Sequence, residues 1–177
     1  IEKKMADTFD RSCTHWSENG RAEMDRFYEI ASVDYRHLAE SRNWGAWLAE
    51  KVGAIGARPL KLLDVACGSG KFPAALTRYA GVGDGSLGEI DYALLDPSRF
   101  SIDEARAALA PPFAPSSEYE MTLQALDCPK GAFDIIWATH ALYALPSSEM
   151  EDSLRRLVES CAGEAFIAHA FADAHYL

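Results

Sequence analysis

The sequence predicts an α/β fold with a doubly wound, mostly parallel sheet and an N-terminal helical addition. Two observations carry this prediction: short apolar runs alternate with amphipathic segments after residue 59, and glycines or acidic residues follow several of these runs. A nearly continuous apolar run is typical of a parallel strand that is buried on both faces, and strand–helix alternation implies right-handed crossovers. We therefore divide the chain into a helical lid segment, residues 1–55, and an α/β core, residues 56–177.

Local patterns place the individual elements. Apolar residues at helical spacing between Arg21 and Val52 predict two helices with a break near residues 41–45. Ser98 or Ser101 offers an N-cap for a later helix, and the three prolines after residue 110 end that helix. The expected strands are residues 60–66, 90–95, 118–123, 133–138 and 165–170, and the expected helices between them are residues 71–80, 98–109 and 147–161.

Composition and charge argue against nucleic-acid binding and against a membrane-spanning protein. The 177 residues include 27 acidic and 17 basic side chains, a formal net charge of −10, which argues against a nucleic-acid surface because phosphate contacts need clustered Lys and Arg. No apolar run approaches the roughly 20 residues of a membrane-spanning helix. The four cysteines are widely spaced, which favours reduced thiols in the cytoplasm. His169, Asp173 and His175 lack the tight spacing of metal ligands, so we expect no metal site. We expect a small-molecule partner and neither nucleic acid nor membrane.

A glycine-rich loop follows the first predicted strand. Asp64 and Ala66 end that strand, and Gly68 and Gly70 precede the next helix. In doubly wound sheets a ligand lies beyond the carboxyl ends of the strands, where glycines allow it to approach the backbone and the helix N-terminus favours a ligand carboxylate. Asp64 is placed to hold the loop amides or a cationic ligand group. The alternative is a plain strand–helix turn.

Two better-known glycine motifs do not fit this loop. A Walker phosphate loop requires a glycine where Val65 stands and a serine or threonine where Phe72 stands. A dinucleotide fingerprint requires a third glycine where Pro73 stands. Neither a nucleoside triphosphate nor a nicotinamide dinucleotide is therefore favoured.

Carboxylates also follow the second and third predicted strands. Asp96, which precedes Pro97, can accept hydrogen bonds from both ribose hydroxyls of a nucleoside, although a helix N-cap or a surface acid gives the same pattern. Asp127 can accept a hydrogen bond from an exocyclic adenine amine, with Leu126 and Cys128 flanking the ring. In series with the acid of the glycine loop, these two carboxylates predict a nucleoside site.

These motifs resemble those of the class I S-adenosylmethionine-dependent methyltransferases. The resemblance spans roughly residues 24–170, and its motifs are the strand and glycine loop at 62–70, the acids Asp96 and Asp127, the strand at 133–138 and the aromatic-rich segment 27–35. It implies a Rossmann-like methyltransferase fold, S-adenosyl-L-methionine as cofactor, and methyl transfer as the activity.

The resemblance also implies individual roles in cofactor binding. The loop glycines would contact the methionyl and ribose portions, Asp96 the ribose and Asp127 the adenine. Backbone groups after the fourth strand would lie near the sulfonium, and a tyrosine of the N-terminal segment would cover it, because a cation suits carboxylates and aromatic faces. The implied cofactor set is Tyr28, Tyr35, Asp64, Ala66, Gly68, Gly70, Asp96, Pro97, Leu126, Asp127, Cys128, Ala138 and Thr139.

His140 is the candidate catalytic residue. Methyl transfer is an in-line displacement that depends mainly on positioning, and a base is needed only when the acceptor must lose a proton. His140 directly follows the fourth predicted strand, and a histidine titrates near neutral pH. The alternative is a histidine that only shapes the pocket or caps the next helix.

The acceptor class follows from the same segment. Family members that methylate base amines carry an Asp/Asn-Pro-Pro-aromatic segment after the fourth strand, whereas this chain has Ala-Thr-His-Ala at residues 138–141. A small molecule methylated on oxygen, nitrogen or carbon in a biosynthetic role is the remaining class. The alternatives are a non-catalytic nucleoside-binding module or regulatory partner of this fold, and a nicotinamide-dependent oxidoreductase, which Pro73 disfavours.

The chain departs from the family after the fifth predicted strand. The family's sheet continues with a helix and a reversed hairpin, and five strands alone would leave an exposed edge. We expect a C-terminal region beyond Leu177, or the second copy of a homodimer, to complete the substrate pocket.

Overall fold

The computed structural model describes Cys13 and residues 17–169. The strands in this part of the chain are β1 Leu60–Val65, β2 Ile90–Leu95, β3 Phe113–Tyr119, β4 Phe133–Thr139 and β5 Cys161–Ala168. The helices are α1 Arg21–Glu40, α2 Trp44–Ile55, α3 Lys71–Tyr79, α4 Arg99–Ala108 and α5 Met150–Ser160. The strands form one five-stranded sheet in the order β3-β2-β1-β4-β5, and all neighbours are parallel. The predicted parallel α/β fold is thus confirmed.

Helices cover both faces of the sheet. On one face, buried side chains of α2, α3 and α4 pack with the central strands around a cluster of aromatic rings. In this cluster the ring centroids of Trp44 and Phe166 lie 4.9 Å apart, and those of Phe72 and Trp137 lie 5.0 Å apart. On the other face, Leu157 of α5 joins a second apolar cluster. None of the helices in the described residues is long and apolar enough to cross a membrane.

The predicted N-terminal helices lie beside the ligand edge of this core. α1 packs along α3, where Nζ of Lys71 lies 4.5 Å from the ring centroid of Tyr28. The break between the two helices is set by Asn43, whose side chain accepts a hydrogen bond from the backbone N–H of Ala46 at 3.0 Å and so caps α2. Residues 1–12 and 14–16 of the predicted lid segment lie outside the described residues, and its status as a separate unit stays a prediction.

The third strand lies earlier in the chain than predicted. β3 spans Phe113–Tyr119 rather than residues 118–123, because Pro115 does not end the preceding structure but lies inside the strand. A proline offers no N–H to a neighbouring strand, and it is tolerated here because β3 is an edge strand. The pairing with β2 is irregular just after this proline, between Tyr92 and Leu94.

The fifth strand is also displaced. β5 begins at Cys161 rather than at residue 165 and ends at Ala168 rather than at residue 170. It follows α5 without a loop, and its first residues are polar or small because β5 is the other edge of the sheet in the described structure. At Gly163 a Cβ would lie 2.5 Å from the carbonyl oxygen of Asp134, so this close approach of β5 to β4 requires glycine.

The glycine loop turns into α3 at Gly70, which adopts φ +68°. A Cβ there would lie 3.1 Å from Cα and 3.2 Å from the carbonyl oxygen of Ala105. This backbone contact allows α3 and α4 to pack closely beside the ligand edge. Gly70 therefore has a structural reason to be glycine, both through its left-handed conformation and through the lack of space.

We expect Gly70→Ala to lower the free energy of unfolding by about 2 to 4 kcal/mol, since it adds a strained backbone conformation to a clash with backbone atoms. Gly53→Ala is the matched control, because Gly53 lies inside α2 with no atom within 4 Å of its Cβ position. An alanine there should leave the protein equally stable or stabilise it by up to about 1 kcal/mol. Urea unfolding of both variants measures the difference, and equal effects would contradict the packing argument.

Candidate functional site

A cavity opens at the carboxyl ends of β1, β2 and β4, where doubly wound sheets bind ligands. The empty space there, including the part open to solvent, is about 610 Å³. Nine of the residues predicted from the sequence line it: Tyr28, Tyr35, Asp64, Ala66, Gly68, Asp96, Pro97, Thr139 and His140. The structure thus brings together the residues after three strands with two tyrosines of α1.

Asp64 lies at the end of the central strand and is almost completely buried, with 2% of its surface exposed. The hydroxyl of Tyr92 in β2 donates a hydrogen bond to its Oδ2 at 2.7 Å, and Nε1 of Trp137 in β4 donates to that hydroxyl oxygen at 3.0 Å. Burial raises the pKa of Asp64 to about 7, although the hydrogen bond from Tyr92 opposes this shift and the nearby Asp96 adds to it. The carboxyl is therefore poised to ionise when a cation arrives.

Asp96 fixes the glycine loop against the end of β2. Its Oδ2 accepts a hydrogen bond from the backbone N–H of Gly68 at 3.1 Å, and its Oδ1 accepts one from the backbone N–H of Ser98 at 2.9 Å. Burial raises the pKa of this carboxyl to about 6, against the lowering effect of these amides. The helix N-cap is Ser98, whose Oγ accepts from the backbone N–H of Ser101. The alternative interpretation of Asp96 as the cap is therefore wrong.

The loop between these carboxyls has a left-handed backbone at several positions. Ala66 has φ +53° and Gly68 has φ +51°. At Gly68 a Cβ would lie 3.0 Å from the hydroxyl oxygen of Tyr28, so this hydroxyl lies directly against the loop. A non-glycine residue in the left-handed region is strained, and such strain is concentrated at functional sites.

His140 is a second non-glycine residue with a left-handed backbone, at φ +54°. Its backbone N–H donates to the carbonyl oxygen of Ala168 at 2.9 Å, and its ring meets the ring of Tyr35 edge to face at 5.3 Å. Burial lowers the pKa of His140, and the neighbouring His169 lowers it further, while Asp34 opposes this. The lowered pKa favours the neutral imidazole, the form that can accept a proton.

Five predicted residues do not line this cavity. Gly70 instead allows α3 and α4 to pack closely. Leu126 and Ala138 are buried in the apolar cluster that includes Leu157 of α5. Asp127 is exposed to solvent. Cys128 donates its thiol hydrogen to Oγ of Ser160 at 3.2 Å. Residues 126–128 lie away from this cavity because β3 ends at Tyr119, and an earlier part of the following segment reaches the ligand edge.

That earlier part lines a second, apolar cavity. Thr122, Leu123 and Gln124 border it together with Ala66 and Pro97, which also line the first cavity. The two cavities are therefore neighbours along the carboxyl edge. These residues were not predicted from the sequence, because no charged side chain marks them.

Lys71, the first residue of α3, was likewise not predicted to belong to the site. Its side chain lines the first cavity, and its ammonium lies over the ring of Tyr28. Only its position directly after the glycine loop could have indicated that Lys71 lies at the cavity. Among the described residues, no cluster of His, Cys, Asp and Glu could hold a metal ion.

The two buried carboxyls predict how stability depends on pH. Their pKa values in the folded protein, about 7 and about 6, exceed the value of about 3.9 for an Asp in an unfolded chain. The folded protein therefore holds more protons between those values, and the free energy of unfolding falls as pH rises through that window.

As pH rises from 4.5 to 8, we expect the free energy of unfolding of Asp64→Asn to increase relative to that of the unsubstituted protein by about 2 to 4 kcal/mol. The reason is that the amide, unlike the buried carboxyl, does not ionise. Urea unfolding at several pH values measures this. The exposed Asp127→Asn is the control and should follow the unsubstituted protein. Parallel pH curves for Asp64→Asn would contradict the burial argument.

The chain is similar to known proteins in both sequence and fold. A family model described as a methyltransferase domain matches residues 62–163, more than half of the chain. A search of curated proteins found no match. Solved structures with the same fold include a magnesium protoporphyrin IX methyltransferase from Synechocystis PCC 6803 with bound S-adenosylmethionine, which has a TM-score of 0.62 and 15% identity over 97% of this chain and 80% of its own.

Two further structures are similar. A protein from Methanococcus maripaludis, provisionally assigned to the S-adenosyl-L-methionine-dependent methyltransferases, has a TM-score of 0.57 and 15% identity over 88% of this chain and 65% of its own. A sugar N-methyltransferase from a Streptoalloteichus species has a TM-score of 0.54 and 21% identity over 87% of this chain and 56% of its own. The chain thus spans less than two thirds of these two proteins. With the family model matched through β1 to β5, the chain belongs to the methyltransferase-domain family and has the fold of the class I S-adenosylmethionine-dependent methyltransferases.

Proposed function

We propose that this chain transfers the methyl group of S-adenosyl-L-methionine to a small-molecule acceptor. The observation that carries the proposal is the convergence of two buried carboxyls, Asp64 and Asp96, with the glycine loop on one cavity. In a chain of the methyltransferase-domain family, this cavity lies where the cofactor's cation and ribose need acidic partners. The fold alone would not identify the site, because folds of this kind have many functions.

The residues present fit the chemistry of the cofactor. It carries a sulfonium, an amino-acid group and two ribose hydroxyls. Both oxygens of Asp96 already accept one backbone hydrogen bond each, and an ionised carboxylate has lone pairs left for two hydroxyl donors. Tyr28 and Tyr35 add aromatic faces, which stabilise a cation.

We assign the parts of the cofactor to the residues as follows. Asp96 holds the ribose, the backbone at Ala66 and Gly68 lies beside the methionyl portion, and Asp64 counters its positive charge. The purine enters the neighbouring apolar cavity at Leu123, since that cavity adjoins the first at Ala66 and is largely apolar in its lining. Asp127, which is exposed, has no part in this assignment.

His140 is assigned the role of base. When bound, the cofactor supplies an electrophilic methyl group, so the chain's own contribution is to position the acceptor and to remove its proton. His140 lines the cavity, and its lowered pKa keeps the imidazole neutral at pH 7. A ring nitrogen can then take the proton of a hydroxyl or amine as the acceptor attacks.

The acceptor is proposed to be small, methylated on oxygen, nitrogen or carbon, and part of a biosynthetic sequence in the cytoplasm. The structural neighbours include enzymes for a porphyrin and for a sugar amine. The net charge of −10 disfavours nucleic acid. Because β5 is an edge of the sheet in the described residues, a further region or a second copy of the chain is proposed to complete the acceptor side of the pocket.

Titration calorimetry with S-adenosylmethionine and S-adenosylhomocysteine tests cofactor binding. We expect micromolar affinity, on the order of −8 kcal/mol, and a loss of about 100-fold in Asp96→Ala because two charge-assisted hydrogen bonds to the ribose disappear. Asp127→Ala, a change of the same type at an exposed position, should bind like the unsubstituted protein. No binding by folded protein would overturn the proposal, and tight binding of NADH would favour an oxidoreductase.

His140→Asn tests the base. Asparagine tolerates the left-handed backbone at this position, so the variant should fold and bind S-adenosylhomocysteine with unchanged affinity. We expect the turnover number to fall by about 10²- to 10⁴-fold, measured as S-adenosylhomocysteine formed with an acceptor found by screening. In the unsubstituted protein turnover should also fall as acid pH protonates the imidazole. An unchanged turnover number in the variant would assign His140 to pocket shape alone, and binding without turnover on any acceptor would favour a non-catalytic module.

A further inference from the structure

The cavity has an uneven distribution of charge that the proposed cofactor roles leave unexplained. Its lining includes two carboxyls, Asp64 and Asp96, and one ammonium, that of Lys71. A cofactor with an amino-acid group brings a carboxylate as well as cations into this space. That carboxylate cannot be held by either aspartate, because like charges repel at short range.

Lys71 is positioned to meet an anion at the start of α3. It is the first residue of that helix, after Gly70, and its half-buried side chain extends into the cavity. No side chain caps the helix start, and no acidic residue lies in its first turn. The positive end of the helix and the ammonium therefore favour a negative group at the same place.

The ammonium has no carboxylate partner in the described part of the chain. It lies 4.5 Å from the ring centroid of Tyr28, and neither Asp64 nor Asp96 forms an ion pair with it in residues 17–169. A cation on an aromatic face gains about 0.5 to 2 kcal/mol, less than a charge-assisted hydrogen bond to a carboxylate in a dry site. The contact with Tyr28 thus holds the side chain at the cavity without competing strongly with an anionic ligand.

A second polar group lies in the same loop. Oγ of Ser69 is buried and has no hydrogen-bond partner among the described residues. Buried hydroxyls are normally paired, and an unpaired one requires an explanation. Ser69 itself is not among the residues that line the cavity, so among these loop residues it is the Lys71 ammonium that a ligand there can reach.

We propose that Lys71 binds the carboxylate of the cofactor's amino-acid portion and so selects ligands that carry it. This inference rests on the proposed cofactor binding, and it assigns Lys71 a binding role toward the cofactor that the sequence motifs did not indicate. The ammonium leaves the ring of Tyr28 or shares it when the carboxylate arrives. A purely structural role for Lys71, as an anchor for Tyr28, would affect all ligands of the cavity alike.

A pair of ligands and a set of variants separate these roles. The ligands are S-adenosylhomocysteine and its decarboxylated analogue, S-adenosyl-3-thiopropylamine, which keeps the amine, thioether and nucleoside. The variants are Lys71→Met, Lys71→Arg and, as a matched control, Lys130→Met, whose lysine is on the surface with 82% of its side chain exposed. Calorimetry gives the dissociation constants, and thermal unfolding without ligand checks that each variant folds.

We expect Lys71→Met to weaken S-adenosylhomocysteine by about 10- to 100-fold, the loss typical of one charge-assisted hydrogen bond, and to weaken the decarboxylated analogue less than about twofold. Lys71→Arg should recover most of the affinity for S-adenosylhomocysteine, and Lys130→Met should change neither ligand. Equal weakening of both ligands would overturn the proposal in favour of an anchor for Tyr28, and unchanged binding of both would also overturn it. Failure of the unsubstituted protein to bind S-adenosylhomocysteine would instead overturn the proposed function itself.

Discussion

The site is organised around the burial of two carboxyl groups at the ends of neighbouring strands. Asp64 and Asp96 are 2% and 3% exposed, and an isolated charge in such surroundings is strongly destabilising. The structure offsets this by hydrogen bonds from Tyr92 to one carboxyl and from backbone N–H groups to the other, and by raised pKa values that allow protonation. The hydrogen bond from Gly68 to Asp96 holds the glycine loop in place, so a carboxyl proposed to bind the ligand also shapes its binding site.

The hydrogen bonds tie the site to the aromatic core. Trp137 donates to the hydroxyl oxygen of Tyr92, which donates to Asp64, and the Trp137 ring packs against Phe72 of α3. A polar chain across three adjacent strands thus ends in the packed layer beneath α3. Polar networks of this kind are costly when incomplete, which explains why Tyr and Trp, with one hydrogen-bonding group each, occupy these core positions instead of Phe.

Much of this arrangement was predictable from the sequence, for a physical reason. β1, β2 and β4 are central strands, so burial on both faces leaves a continuous apolar run, and the acids and glycines at their ends stand out against it. β3 and β5 are edges with mixed composition, which is why their bounds were misplaced and why Asp127 was assigned to the site in place of the segment around Leu123. For Lys71 the sequence offers only its position directly after the glycine loop, because a lysine that opens a helix is ordinarily a solvated side chain. Only the course of α1 brings Tyr28 over it.

The separation of charges in the cavity has a functional consequence. An ion pair between Lys71 and a buried aspartate would neutralise the carboxylate and occupy part of the cavity. Such a buried pair would also add little stability, because both groups lose their hydration. With Lys71 on the ring of Tyr28 and the carboxyls held by neutral donors, each charged group keeps its capacity for a ligand. Partial protonation of Asp64, whose pKa is about 7, then limits the cost of burial in the free protein, and a cationic ligand would take the place of that proton. A ligand with a carboxylate at one end and a cation beside it matches this pattern better than a nucleoside alone.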